Sequence, residues 1–166
     1  MNEEQKNMYL AWLRDAHAME MGLITTLEKQ VAETEDKPDI QARLKDHLQE
    51  TRSHATKVEG CLKRHKTDAS GGKDILMQMA NAAKGVMASL PHDSLVKNAM
   101  ASYAAEHFEI ASYTAIIAAA EALDDTETAS VCADILKDEI DMANWLAEQL
   151  PDIVQEHIRE MDLVEA

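Results

Sequence analysis

Glycine and proline are scarce in this chain, five and three among 166 residues; aromatic side chains make up 4% and cysteine occurs twice. Against plentiful Ala, Leu, Met, Glu, Lys and Gln, so few turn-forming and sheet-forming residues leave little material for strands and favour helix throughout. The fold class is therefore all-α. The two cysteines, Cys61 and Cys132, lie far apart and form no CxxC pair. That excludes a disulfide framework, a zinc finger and a rubredoxin-type iron site, and leaves two small core residues in a reducing compartment. Basic charge is also short: 16 Lys and Arg face 31 Asp and Glu, for a net charge of -15. Such a surface repels phosphate backbones and anionic membranes, so neither nucleic acid nor a membrane is an expected partner, and cations are favoured company. No run approaches the roughly 18 apolar residues of a membrane span, and the start, "MNEEQKNMYL", has no basic segment followed by an apolar one. The expectation is a soluble cytoplasmic protein.

What is present is a 46% hydrophobic content in 166 residues. This suffices for one core and hardly for two, so residues 1–166 are read as one domain. Apolar residues recur at spacings of three and four along four long stretches. The first, from about residue 3 to 34, carries Tyr9, Leu13, Ala16, Glu20, Leu23, Leu27 and Val31. The second opens at Pro38, a residue suited to a first helical turn, and carries Ile40, Leu44, His47, Thr51, His54, Val58 and Cys61 before closing near His65. Gly71-Gly72 is the clearest break, and the Met-rich segment 74–89, with Met77, Met79 and Met87, reads as a short amphipathic helix within a crossover over 67–91. Pro91, Asp93 and Ser94 mark the start of the third long helix, which carries Leu95, Ala99, Tyr103, Glu106, Glu109, Tyr113 and Ile116. Asp124, with Glu127 three residues on, reads as the capping box of the fourth, which carries Cys132, Leu136, Glu139, Ala143 and Leu146. Pro151 stops or bends it into a tail, 151–166, able to form one more short helix.

Short links make the first and second helices one hairpin, about 3–66, and the third and fourth another, about 92–150. A helical crossover can reach roughly 24 Å, enough to join opposite ends of a bundle, so the second and third helices can run parallel. One long crossover between two hairpins is the connectivity of ferritin-like bundles.

The hairpins read as an internal repeat. A shift of 89 residues lays "DAHAMEMG" on "AAEHFEIA", placing Glu20 on Glu109, Glu50 on Glu139, His17 on Glu106 and His54 on Ala143. Each of the four repeat-matched glutamates then lies about 15 residues from its own turn, so all four can share one layer. Glu20, Glu109 and Glu139 fall on their apolar stripes; Glu50 falls beside its own, between His47 and His54. Buried carboxylates carry several kcal/mol of desolvation each unless protonated, ion-paired or bound to a cation. The adjoining seam offers His17, His47, His54 and Tyr113 but no Lys or Arg, and carboxylate with imidazole is the donor set of non-haem iron and manganese. A polar layer satisfied without metal is the other reading.

The segments "DAHAME", "HLQETRSH", "AEHFEIASY" and "LKDEIDMANWL" resemble the YciE/YciF family of bacterial ferritin-like stress proteins over essentially the whole chain. The resemblance implies a rubrerythrin-like four-helix core with a fifth helix, a homodimer, and a site for up to two iron or manganese ions. Carried over by position, Glu20, Glu50, Glu109 and Glu139 match the four core carboxylates, and Glu106 matches the additional glutamate of the third helix. His54 then serves as terminal nitrogen ligand, and Glu106 or His17 as extra ligand or proton carrier. Two departures stand out: three residues beyond Glu50 is Ser53, with His54 one later, and three beyond Glu139 is Met142. The implied activity is ferroxidase-like or peroxide- and oxygen-processing, with an external electron donor because the chain has no CxxC pair. The alternative is a metal-free helical dimer with a structural or interaction role; iron storage would further require a cage assembly.

Overall fold

The computed structural model describes residues 2–70 and 94–164. They form four helices, α1 (Glu3–Glu33), α2 (Pro38–Arg64), α3 (Ser94–Ala122) and α4 (Thr126–Val164), with no strand among the described residues. The Met-rich segment 74–89 and Pro91 lie outside the described residues. No described helix is long and apolar enough to cross a membrane.

Local chemistry sets the helix ends. Asn2 and Gln5 form a reciprocal capping box, each side chain accepting the other's backbone N–H at 2.8 Å, which satisfies two donors that the first turn leaves unpaired. Pro38 occupies the first turn of α2, where its missing N–H removes no helical bond. At the α3–α4 turn the cap is Asp125 and not Asp124. Asp125 Oδ1 accepts the Thr128 N–H at 3.1 Å, while Asp124, at φ 61°, takes the left-handed conformation that ends α3. Asp125 also joins three helices, since its Oδ2 accepts from the Tyr9 hydroxyl at 2.8 Å and meets His65 Nε2 at 2.7 Å.

Pro151 does not stop the fourth helix. α4 continues through it to Val164, so the tail expected to form a separate helix is a continuation. A proline inside a helix costs about 3 kcal/mol. Two tertiary contacts offset that cost: Ile153 is buried in the bundle, and Lys37, at the α1–α2 turn, pairs with Glu156 at 3.0 Å and Glu160 at 3.8 Å.

α1 packs against α2 and α3, and α4 against α3 and α2, which places α2 and α3 on a diagonal. Polar pairs give the directions. Glu33 with Asn98, Gln30 with Ser102 and Glu20 with Tyr113 make α1 and α3 antiparallel. Arg64 with Thr128, His54 with Asp138 and Lys37 with Glu156 do the same for α2 and α4. Since α1 is antiparallel to both α2 and α3, those two are parallel, and their connection joins opposite ends of the bundle. This is the ferritin-like arrangement that the link lengths predicted.

The apolar core comes in two parts. Tyr9, Leu13, Met19, Val58, Leu62 and Ile135 belong to one cluster; Leu27, Leu44, Leu48, Met142 and Leu146 form the other. Glu20, His54 and Glu139 fall between them along their helices, and His47 sits beside Leu44 and Leu48 of the second.

Candidate metal centre

Six ionisable side chains fill the gap between the two apolar clusters. Glu20 comes from α1, His47 and His54 from α2, Glu106 and Glu109 from α3, and Glu139 from α4; none is more than 3% exposed. Five of them form two triads that share Glu139, and Glu109 stands outside both. In one, donor atoms of Glu20, His54 and Glu139 lie within 4.8 Å of one another; in the other, those of His47, Glu106 and Glu139 do. His54 Nδ1 is 2.9 Å from Glu139 Oε1 and 3.8 Å from Glu20 Oε2. On the other side His47 Nε2 is 3.3 Å from Glu106 Oε1 and 4.0 Å from Glu139 Oε2.

These atoms are close but poorly satisfied. Glu20 Oε2, His54 Nδ1, Glu106 Oε2, Glu109 Oε2 and both oxygens of Glu139 are buried without a well-formed hydrogen bond, although His54 Nδ1 stands 2.9 Å from Glu139 Oε1. An unsatisfied buried polar group costs about 1–3 kcal/mol, and more if charged. The electrostatics show the same tension. Burial, with the Glu139 charge adding to it, pushes Glu20 up to about 8. Burial also lifts Glu106, to about 7, against the pull of His47. Glu109 is driven well above the carboxylate range, by burial and then by Glu139. Burial alone would lower His47, but its contacts with Glu106 and Glu50 prevail and raise it to about 10; His54 is raised against burial by Glu139 and Glu20.

Outside the layer each imidazole has an anchor. His54 Nε2 is 3.0 Å from Asp138 Oδ2, and His47 Nδ1 is 3.0 Å from Glu50 Oε2. Tyr113, fully buried, donates its hydroxyl to Glu20 Oε1.

Five of the six metal-ligand candidates from the sequence meet here: Glu20, His54, Glu106, Glu109 and Glu139. Glu50 does not. Its carboxylate is 34% exposed, and Oε2 is held by Arg43 at 3.1 Å as well as by His47. The His47 hydrogen bond, with help from Arg43, pulls it down to about 2. The ion pair for which the seam offered no Lys or Arg thus exists, with Arg43 about two helical turns before Glu50. His17 is also elsewhere, half-buried with Glu59 and Lys63 as its charged neighbours; burial lowers its pKa.

The displacement of Glu50 has a simple origin. Four residues, 34–37, separate α1 from α2, but only three, 123–125, separate α3 from α4. The repeat offset of 89 relates α1 to α3; beyond the longer turn it falls to 88, and one residue is about 100° of helix rotation. The counterpart of Glu139 is therefore Thr51, buried with its hydroxyl donating to the His47 carbonyl at 2.9 Å. The counterpart of Met142 is His54. Read in this register, α2 does carry a histidine three residues beyond its layer position, while Ser53 is exposed. His47, seen in the sequence only as a seam neighbour, supplies the second nitrogen; its signal was its place on the Thr51–His54 stripe.

Residues 4–159 match the family described as a domain of unknown function, DUF892. Among solved structures, a protein from Xanthomonas campestris is 30% identical over 95% of this chain and 99% of its own, with a TM-score of 0.78. YcfI from Rhodopseudomonas palustris is 23% identical over 86% of this chain and 92% of its own, with a TM-score of 0.73. The Escherichia coli stress protein YciF is 19% identical over 93% of this chain and 99% of its own, with a TM-score of 0.77. The helical connectivity and a match across nearly the whole sequence agree: the chain belongs to the DUF892 family and shares the ferritin-like helical-bundle fold of YciF.

Proposed function

We propose that this is a ferritin-like protein of the cytoplasmic stress response whose buried layer holds up to two iron or manganese ions and serves Fe(II) oxidation or the processing of oxygen or peroxide. Its main support is the set of six buried donor atoms, on five residues from all four helices, that have no hydrogen-bond partner. Four glutamates and two histidines are also the donor inventory of carboxylate-bridged two-metal bundles, reached here with both histidines on one helix. Hard carboxylate oxygens with imidazole suit iron and manganese. One ion would be held by Glu20, His54 and Glu139, the other by His47, Glu106 and Glu139, with Glu109 as the remaining oxygen donor. When bound, such ions supply Lewis acidity and one-electron redox chemistry. The chain's part is to present the donors, to keep bulk water out with the apolar clusters on both sides, and to hold a proton at Tyr113 Oη against Glu20. Cys61 and Cys132, both buried and free, form no redox pair for electron entry, so continued turnover draws on an external donor.

The YciF neighbour is named a stress protein, which supports the physiological setting of this reading. Association as a homodimer belongs to it as well. Trp12 and Phe108, both exposed, rim an apolar pocket of about 160 Å³ between α1 and α3.

A metal-free reading has one specific observation in its favour. With His47 and His54 raised and Glu20 and Glu106 raised beside them, protons alone can reduce the charge of the layer. The protein would then act as a helical scaffold or interaction partner. Metal analysis after anaerobic reconstitution with Fe(II) or Mn(II) separates the two. The metal reading expects about two equivalents in the wild type and their loss in Glu139→Gln, whose side chain is shared by both triads. No specific uptake by the wild type overturns it.

A further inference from the structure

The two histidines turn different ring atoms toward the layer. His54 presents Nδ1 to Glu139 and Glu20, with Nε2 turned outward to Asp138. His47 presents Nε2 to Glu106 and Glu139, with Nδ1 turned outward to Glu50. Seven residues separate them on α2, about 10 Å along the axis, so the rings approach the shared Glu139 from opposite sides. Each outward nitrogen meets a carboxylate at 3.0 Å, and each of those carboxylates is the most exposed member of its chain of contacts, Asp138 at 39% and Glu50 at 34%. Each meets its imidazole at the nitrogen turned away from the triads, and neither belongs to one.

An imidazole can bind a metal only through an unprotonated nitrogen, and a carboxylate on the other nitrogen keeps the N–H there. We propose that Asp138 and Glu50 are positioning residues that fix opposite tautomers of the two histidines, so that one metal position is bound through His54 Nδ1 and the other through His47 Nε2. The proposal rests on the metal-binding reading above and assigns Glu50 a role different from the ligand role its sequence position suggested. Arg43, on the same Glu50 oxygen as His47, keeps that carboxylate ionised and in place. Asp138 has no such cation among the described ion pairs and acts on His54 alone.

The test uses the full chain with zinc(II), a diamagnetic probe, and ¹⁵N-labelled histidine read by NMR alongside zinc titration. In the wild type the His54 signal should report metal on Nδ1 and the His47 signal metal on Nε2. Asp138→Asn places an amide that can donate as well as accept at Nε2. It should weaken zinc by about 10- to 100-fold at the His54 position, mix its ring-nitrogen signals and leave the His47 position as it was. Glu50→Gln should do the reverse, and Asp138→Glu should restore the wild-type pattern. Unchanged helical content in the metal-free variants shows that the effect is local. Equal zinc affinity through unchanged nitrogens in both variants overturns the positioning role alone, whereas a wild type that takes up no zinc overturns the metal reading and this proposal with it.

Discussion

Tyr113 of α3 donates its hydroxyl to Oε1 of Glu20 on α1, and the other oxygen of that carboxylate, Oε2, is buried with no partner at all. One bond fixes the side chain and leaves its free oxygen facing His54. The bundle thus holds a carboxylate half satisfied and half available, which only a proton or a cation completes.

Removing that hydroxyl should be costly in the absence of metal. Tyr113→Phe strips the second oxygen of Glu20 of its donor and should lower stability by about 1–3 kcal/mol in urea unfolding of the metal-free protein. A variant as stable as the wild type would mean that Glu20 finds another donor, and with it that the layer is less tightly fixed than the structure shows.

The pH dependence of stability follows from the raised groups. Glu20 and Glu106 keep their protons up to about 8 and about 7 in the folded state but lose them near 4.5 once unfolded. Between those values the native state binds more protons than the unfolded one, so stability falls as pH rises. His47, raised from 6.5 to about 10, extends the fall over that higher window, and His54 acts in the same direction. Glu50 and Asp125, pulled down to about 2, work the other way and withdraw stability as pH drops below about 4. Urea midpoints of the metal-free protein should therefore peak in mildly acidic solution and decline toward pH 9. Metal uptake, which displaces protons, should strengthen over the same rise.

The turn-length argument is open to a gain-of-charge test. Thr51→Glu puts a fifth carboxylate at the true counterpart of Glu139. It should depress the melting temperature of the metal-free protein, since another buried charge costs several kcal/mol, and raise the increment that Mn(II) adds. Glu50→Ala, whose carboxylate is one-third exposed, should do far less to the metal-free melting temperature.

Asp124 and Asp125 should behave in opposite ways. Asp125→Ala removes a helix cap worth about 1–2 kcal/mol and leaves the Tyr9 hydroxyl and His65 without their shared acceptor, so a loss of more than the cap alone is expected. Asp124→Gly relieves a left-handed backbone at φ 61° and should be neutral or slightly stabilising. Equal losses for the two would contradict the capping assignment.

Four helices, the cap of the fourth to within one residue, the bundle connectivity and the burial of Glu20, Glu106, Glu109 and Glu139 were legible in the chain alone. These follow from local rules: apolar spacing marks a face, proline and aspartate mark ends, and a carboxylate on an apolar stripe has nowhere to go but inward. Folding settled which residue of α2 stands level with Glu139. The stripe through His47, Thr51 and His54 marks the inward face, but one extra residue in the 34–37 turn makes Thr51, not Glu50, the counterpart of Glu139, and no periodicity within α2 records the length of the turn before it. Asp138 was invisible for a related reason, since its partner lies 84 residues away across the bundle. Pro151 told the same story in reverse. Its local preference is to end a helix, and α4 runs on because Ile153 and the Lys37 ion pairs, contacts that exist only once the chain has folded, stabilise the turns beyond it.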